Sequence, residues 1–163
     1  MTRAPTRARR TSAPVRRAAG KALDQGMLTG LVGYALRRAE VKMRQHFART
    51  LAEWDITGAD LSVLELIAAN PAVTQADLGA ALDIKRPNMV SLIDRLERRG
   101  LLERKVYEHD RRNQILSLTR KGEAFLGEVA DLVQAMDMRV TRCWTAKERA
   151  QVVELLQRFY LQE

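Results

Sequence analysis

The hydrophobic period of this chain changes in one place. On either side of residues 101–119 apolar side chains recur at helical spacing, whereas "LLERKVYE" (101–108) and "NQILSLT" (113–119) read as two strands. Between the two lies a polar knot, His109, Asp110, Arg111 and Arg112. The fold class that follows is mainly α with a small β ribbon of two to three strands.

Helix boundaries are readable around that ribbon. From Met27 to Glu53, Leu28, Leu31, Val32, Ala35, Leu36, Ala39, Met43, Phe47 and Leu51 keep one helical period. Thr57 with Asp60 opens a second helix that runs to "ANP" at 69–71, and Thr74 with Asp77 opens a short third. Pro87 falls in the first turn of a fourth, where its missing N–H costs little, and Gly100 stands where a left-handed cap ends it. Thr119 caps a long fifth helix. Thr145 with Glu148 has capping-box spacing for a last one that ends near Leu161.

Charge is the first pointer to a partner. The chain has 163 residues, enough for one domain and a tail, and a formal net charge of +8. Residues 1–21 carry seven bases and no acid; residues 85–121 carry eleven bases against five acids. The rest is mildly acidic, so two basic zones on such a body point to a polyanion. A charge run taken alone is more often solvated surface. The tail "MTRAPTRARRTSAPVRRAAGK" lacks the apolar groups that would repay ordering and is expected to be a disordered arm over 1–25. It also has the Arg-rich, acid-poor look of a transit peptide, but no apolar stretch of a secretory signal follows it.

Several function classes are disfavoured. No run of 18 apolar residues marks a membrane span, and the single Cys143 fits a reducing compartment, expected to be the cytoplasm. His46 and His109 stand far apart, there is no CxxC and no phosphate-cradling glycine loop, so no catalytic residue, metal site or cofactor is expected.

On a helical wheel of the fourth helix, Met89, Leu92, Ile93 and Leu96 share one face, with Asn88, Ser91, Arg95 and Arg98 opposite. The first set reads as core. The second, with Arg86 nearby and Val90 on the shoulder facing a thymine methyl, would suit a major groove. Any surface helix has a polar face; the order is what counts. A short helix, a tight turn at Asp83 and Ile84, then a basic helix is helix-turn-helix order. A ribbon directly after it is then a wing, whose tip arginines would enter the minor groove, with Asp110 orienting one of them. The alternative is a solvated hairpin turn.

The stretch "DLGAALDIKRPNMVSLIDRLERRGLLERKVYEHDRRNQILSLTRKG" resembles the winged helix-turn-helix of the MarR family of bacterial transcriptional regulators. "DRRNQILSLT" matches that family's D-x-R-x5-L-T wing signature at Asp110, Arg112, Leu118 and Thr119. The resemblance covers roughly residues 28–161. It implies a homodimer in which long terminal helices (26–56 and 119–163) interlock around DNA-binding domains (57–118). It also implies a pseudo-palindromic operator, and repression until a small ligand or oxidant weakens DNA affinity. Arg112 becomes the minor-groove arginine and Arg111 a phosphate contact. Lys85 departs from the Ser or Thr cap common in relatives, so the helix would start on backbone or water contacts. Cys143 lies late in the chain, unlike the early cysteine of peroxide-sensing relatives, and is expected to be a buried structural thiol. Family pockets lie between the dimerisation helices and the winged domain. Arg37, Arg38, Arg44, His46, Phe47 and Trp54 are therefore candidates to line one, with an aromatic carboxylate or its coenzyme A thioester as effector. The competing class is a winged helix used only for protein contacts.

Overall fold

A computed structural model describes residues 15–16, 22–107 and 110–162. The chain divides into two compact units, residues 1–42 and 43–163. In the first, β1 (Val15–Arg16) pairs antiparallel with β2 (Ala22–Leu23), inside the segment expected to be a disordered arm; the rest of that segment up to residue 21 lies outside the described residues. A 3-10 turn over Gly26–Gly30 precedes α1 (Val32–Thr50), whose last two turns belong to the second unit. The helix expected from Met27 is thus shorter at both ends. Leu31 is extended between the turn and α1, and a second 3-10 turn, Ala52–Trp54, follows Leu51. Two glycines flanking Met27–Thr29 weaken helix formation there.

The second unit holds the core. Its elements are α2 (Gly58–Ala69), α3 (Gln75–Ala81), α4 (Arg86–Arg98), β3 (Leu102–Tyr107), β4 (Asp110–Leu118), α5 (Arg120–Val140) and α6 (Ala146–Tyr160). Thr57, Thr74 and Thr145 each complete a capping box with the acid three residues on. Those bonds hold the exposed carboxyls of Asp77 and Glu148 below their ordinary range, because the threonine hydroxyl and amide N–H groups donate to the charged form. Val63 and Leu64 of α2, Leu78 of α3, Ile93 and Leu96 of α4, Leu102 of β3 and Val129 of α5 are almost wholly buried together. Burying each large aliphatic of this set contributes about 1.5–3 kcal/mol.

Strands β3 and β4 run antiparallel from Leu102↔Leu118 to Val106↔Gln114, after which the register jumps to Tyr107↔Asp110. A third short edge comes from the residues before α3. Thr74 bridges Ile115, and the Leu116 amide donates to the Val73 carbonyl at 2.9 Å. Alternation puts Leu102, Leu116 and Leu118 on the inner face. The charged knot differs from expectation: Asp110, Arg111 and Arg112 belong to β4, and only two residues connect the strands. Backbone pairing needs no apolar side chain, so the ladder runs on past the end of the alternating pattern.

One turn joins the end of α4, the start of β3 and the start of α5. Gly100 is left-handed (φ +69°), as expected of the cap. The Thr119 hydroxyl donates to its carbonyl at 2.6 Å and accepts from the Gly122 amide at 3.0 Å, while the Thr119 amide donates to Leu101 at 3.2 Å. The Lys121 ammonium donates to the Arg99 carbonyl at 2.7 Å. This clasp leaves no room at Gly122, where a Cβ would lie 1.9 Å from the Leu101 carbonyl oxygen. Since that obstacle is backbone, α5 must move away to admit a methyl. Gly122→Ala is expected to cost about 3 kcal/mol, the upper part of the usual overpacking range, read as a lowered urea midpoint. Gly127→Ala, with nothing near its would-be Cβ, serves as the control expected to be neutral or mildly stabilising.

Candidate nucleic-acid interface

The turn before α4 sets its direction. Asp83 is left-handed (φ 49°), a conformation that Asp tolerates, and the Ile84 amide donates to the Gly79 carbonyl at 3.0 Å. A Cβ on Gly79 would stand 3.2 Å from the Ile84 carbonyl oxygen, so α3 and the turn are in close contact. Helix α4 then starts at Lys85 without a side-chain cap, with Pro87 in its first turn, both as expected. Met89, Leu92, Ile93 and Leu96 are buried, again as expected. Arg86, Asn88, Val90, Ser91 and Arg98 are exposed. The Ser91 hydroxyl donates to the Pro87 carbonyl at 3.1 Å, which leaves its lone pairs outward.

Arg95 departs from that row. It is half-buried, whereas the rest of the row is exposed. Its guanidinium donates to Asp60 at the start of α2, a carboxylate 1 % exposed against 43 % for the arginine. The other Asp60 oxygen accepts from the Thr57 amide and hydroxyl, each at 2.7 Å. Two further arginines pin the same helix from behind. Arg99 donates to the Asp55 carbonyl and, at 2.9 Å, to that of Trp54, and lies 5.3 Å over the Phe125 ring of α5. Arg104 of β3 donates to Glu97 and, at 2.5 Å, to Asp94, tying the ribbon to α4. The sequence reading missed Asp60, Asp94, Glu97, Arg99 and Arg104 as site-building residues. Asp60 was visible only as a cap, and sequence spacing carries no signal for pairs this distant.

The ribbon lies directly after α4, in the order expected of a wing. Asp110, Arg111 and Arg112 stand at the start of β4, next to the break in register. Their side chains lie outside the described residues, so the expected orientation of an arginine by Asp110 belongs with the proposals below.

The six effector candidates serve varied roles. In the first unit, Arg37 and Arg38 are exposed; Arg38 lies 5.9 Å over the Tyr34 ring and donates to its hydroxyl at 3.3 Å. In the second, Arg44 is exposed, His46 is half-buried, and Phe47 and Trp54 pack on the core. Trp54 meets Phe125 edge to face at 5.5 Å, so its ring has a packing role. Cys143 corrects an expectation: it is exposed in the connection between α5 and α6, where no core reaches it. An open groove of about 550 Å³ lies beside it, lined by Met138, Trp144, Arg149 and Val153 among others. Helix α6 buries none of its residues, and Val153, Leu155, Phe159 and Tyr160 are among the exposed apolar groups. Among the described residues no three His, Cys, Asp or Glu side chains gather as a metal site, and no helix is long and apolar enough to cross a membrane.

Comparison with known proteins agrees with this geometry. The MarR family model matches residues 54–113, the span from α2 into β4. A putative transcriptional regulatory protein for the hcr operon of Thauera aromatica is 31% identical over 142 residues, 86% of each chain. The homoprotocatechuate degradative operon repressor of Escherichia coli is 25% identical over 77% of this chain and 84% of its own. Among solved structures, the transcriptional repressor CouR bound to a 23-mer DNA duplex superposes with a TM-score of 0.82. It is 37% identical and covers 86% of this chain and 99% of its own. A CouR structure with p-coumaroyl-CoA gives 0.78 at 35% identity, over the same shares of the two chains. MarR-family proteins are dimeric transcriptional regulators and not enzymes. With that identity over most of its length, and the winged helix-turn-helix just described, the chain belongs to the MarR family of transcriptional regulators.

Proposed function

We propose that the chain acts in the cytoplasm as a homodimeric repressor that binds a pseudo-palindromic operator and leaves it when a small effector binds. The observation that carries this is the exposed row Arg86, Asn88, Val90, Ser91 and Arg98 on a helix braced from behind and flanked by a ribbon. Such a helix enters a major groove as a preset reader. The exposed apolar residues of α6 support the dimer, because several large apolar groups left uncovered on one helix are a surface that a partner can cover. An aromatic acid or its coenzyme A thioester is the effector class. In its support, related repressors have been solved with p-coumaroyl-CoA and, for BpsR of Bordetella bronchiseptica (26% identical), studied for regulation by 6-hydroxynicotinic acid.

The test is a selection from a random-sequence duplex library followed by footprinting and sedimentation. A dimer is expected on two half-sites centred about 10 bp apart on one face of the duplex. Titration with aromatic acids and their coenzyme A thioesters should then release it. A monomer at micromolar concentration that enriches no sequence would overturn the reading and favour a module for protein contacts.

Wing and arm make separable contributions. Arg112 is assigned to the minor groove, Arg111 to a phosphate, and Asp110 to holding the arginine in place. Arg112→Ala is expected to weaken operator binding by about 1–3 kcal/mol, most on operators with a narrow A·T-rich minor groove under the ribbon. Asp110→Ala is expected to weaken it too, although removal of an acid beside DNA should tighten binding on charge alone. Tighter binding in anisotropy at fixed salt would show the knot to be a solvated turn.

The seven cations of residues 1–21 are assigned to phosphates. Removing them should lower the slope of log affinity against log salt by about 0.9 for each phosphate no longer neutralised, with the preferred sequence unchanged. An unchanged slope would exclude the arm from the complex.

A further inference from the structure

Among the polar residues around the reading face of α4, Arg95 differs in being held by a carboxylate of another helix, whereas Ser91 and Arg98 bond only to carbonyls of α4 itself. Its partner Asp60 has both oxygens engaged: one by the Thr57 amide and hydroxyl, the other by the guanidinium. The carboxylate is 1 % exposed with the arginine in place, while 43 % of the Arg95 side chain remains accessible. Departure of the guanidinium would strand a buried charge, which is far costlier than loss of an exposed ion pair.

We propose that Asp60 is a positioning residue for sequence discrimination: it fixes Arg95 by one edge, directs the other edge at a single place in the groove, and denies the arginine to neighbouring phosphates. An untethered arginine at the rim of a groove finds phosphate oxygens on any sequence, and such contacts raise affinity without information. A tethered one donates only where a base edge or phosphate falls in its fixed line, so it adds to binding on the right site and little elsewhere. Asp60 also completes the capping box of α2, and so the same carboxylate sets the arginine relative to the start of that helix. This inference rests on the operator-binding function proposed above and adds a residue that touches no DNA to the determinants of specificity.

The experiment compares affinity for a library-selected duplex with that for a scrambled duplex of equal length, each across a salt series. It uses full-length dimers of the wild type, Asp60→Asn, Arg95→Gln and the double variant. If the wild type selects no sequence, the proposed function fails before this inference is reached. Given a selective wild type, Asp60→Asn is expected to bind the scrambled duplex more tightly. Its salt slope should rise by about 0.9, as one further neutralised phosphate requires, and its discrimination should fall about tenfold. Arg95→Gln, which removes the guanidinium edge aimed at the groove, is expected to lose discrimination with no change of slope on the scrambled duplex. The double variant should return the slope of Asp60→Asn to the wild-type value.

A folded Asp60→Asn with wild-type slope and discrimination would overturn the proposal. So would a lower slope for Arg95→Gln on the scrambled duplex, since Arg95 would then already touch phosphate. If Asp60→Asn does not fold, Arg95→Gln alone decides: equal losses on both duplexes would mean a purely structural role and would likewise overturn it.

Discussion

The close approach of α5 to the end of α4 is the constraint on which the winged unit depends. Thr119, Gly122 and Lys121 reach the carbonyls of Gly100, Leu101 and Arg99 through one short clasp. In it a left-handed glycine ends the basic helix and turns the chain into β3, and β4 returns to deliver α5 against the same turn. Direction of the helix, origin of the ribbon and start of the long α5 are thereby set by a handful of backbone groups. A glycine is needed on the α5 side because the opposing group is a carbonyl with no freedom to move aside.

The positive charge that dominates residues 85–121 is divided between two uses. Arg99 and Arg104 turn inward or sideways, and Arg95 is held at the border, satisfying carbonyls and carboxylates of α2, α4 and the connection before α2. Arg86 and Arg98 stay outward. A bare sum of charge overstates what is offered to a phosphate backbone, because an arginine committed to a buried carboxylate releases no counterion on binding. The inward set makes the basic helix rigid with respect to its ribbon and to the segment 54–60.

The second unit also leaves apolar surface uncovered. Val153, Leu155, Phe159 and Tyr160 of α6 face solvent while α2, α3, α4, β3 and α5 share a closed core. The core is therefore complete around the winged helix-turn-helix and incomplete at its final helix. That asymmetry matches a family whose members are dimers.

From Thr57 onward the sequence by itself determined the element order, the helix starts and the existence of the ribbon, because capping boxes, a proline in a first turn, a glycine cap and a change of period are local physics acting over a few residues. Thr57, Thr74, Thr145, Pro87 and Gly100 all perform as their spacing predicts. The same locality explains what it misjudged. A wheel drawn for α4 alone could not know that Asp60, 35 positions earlier, would stand buried beside Arg95. Nor could the late position of Cys143 in the chain tell that no element would pack over it. Only the tertiary structure decided which arginines stay outward and which brace the helix, because that choice depends on which carboxylates and carbonyls from distant segments come within their reach.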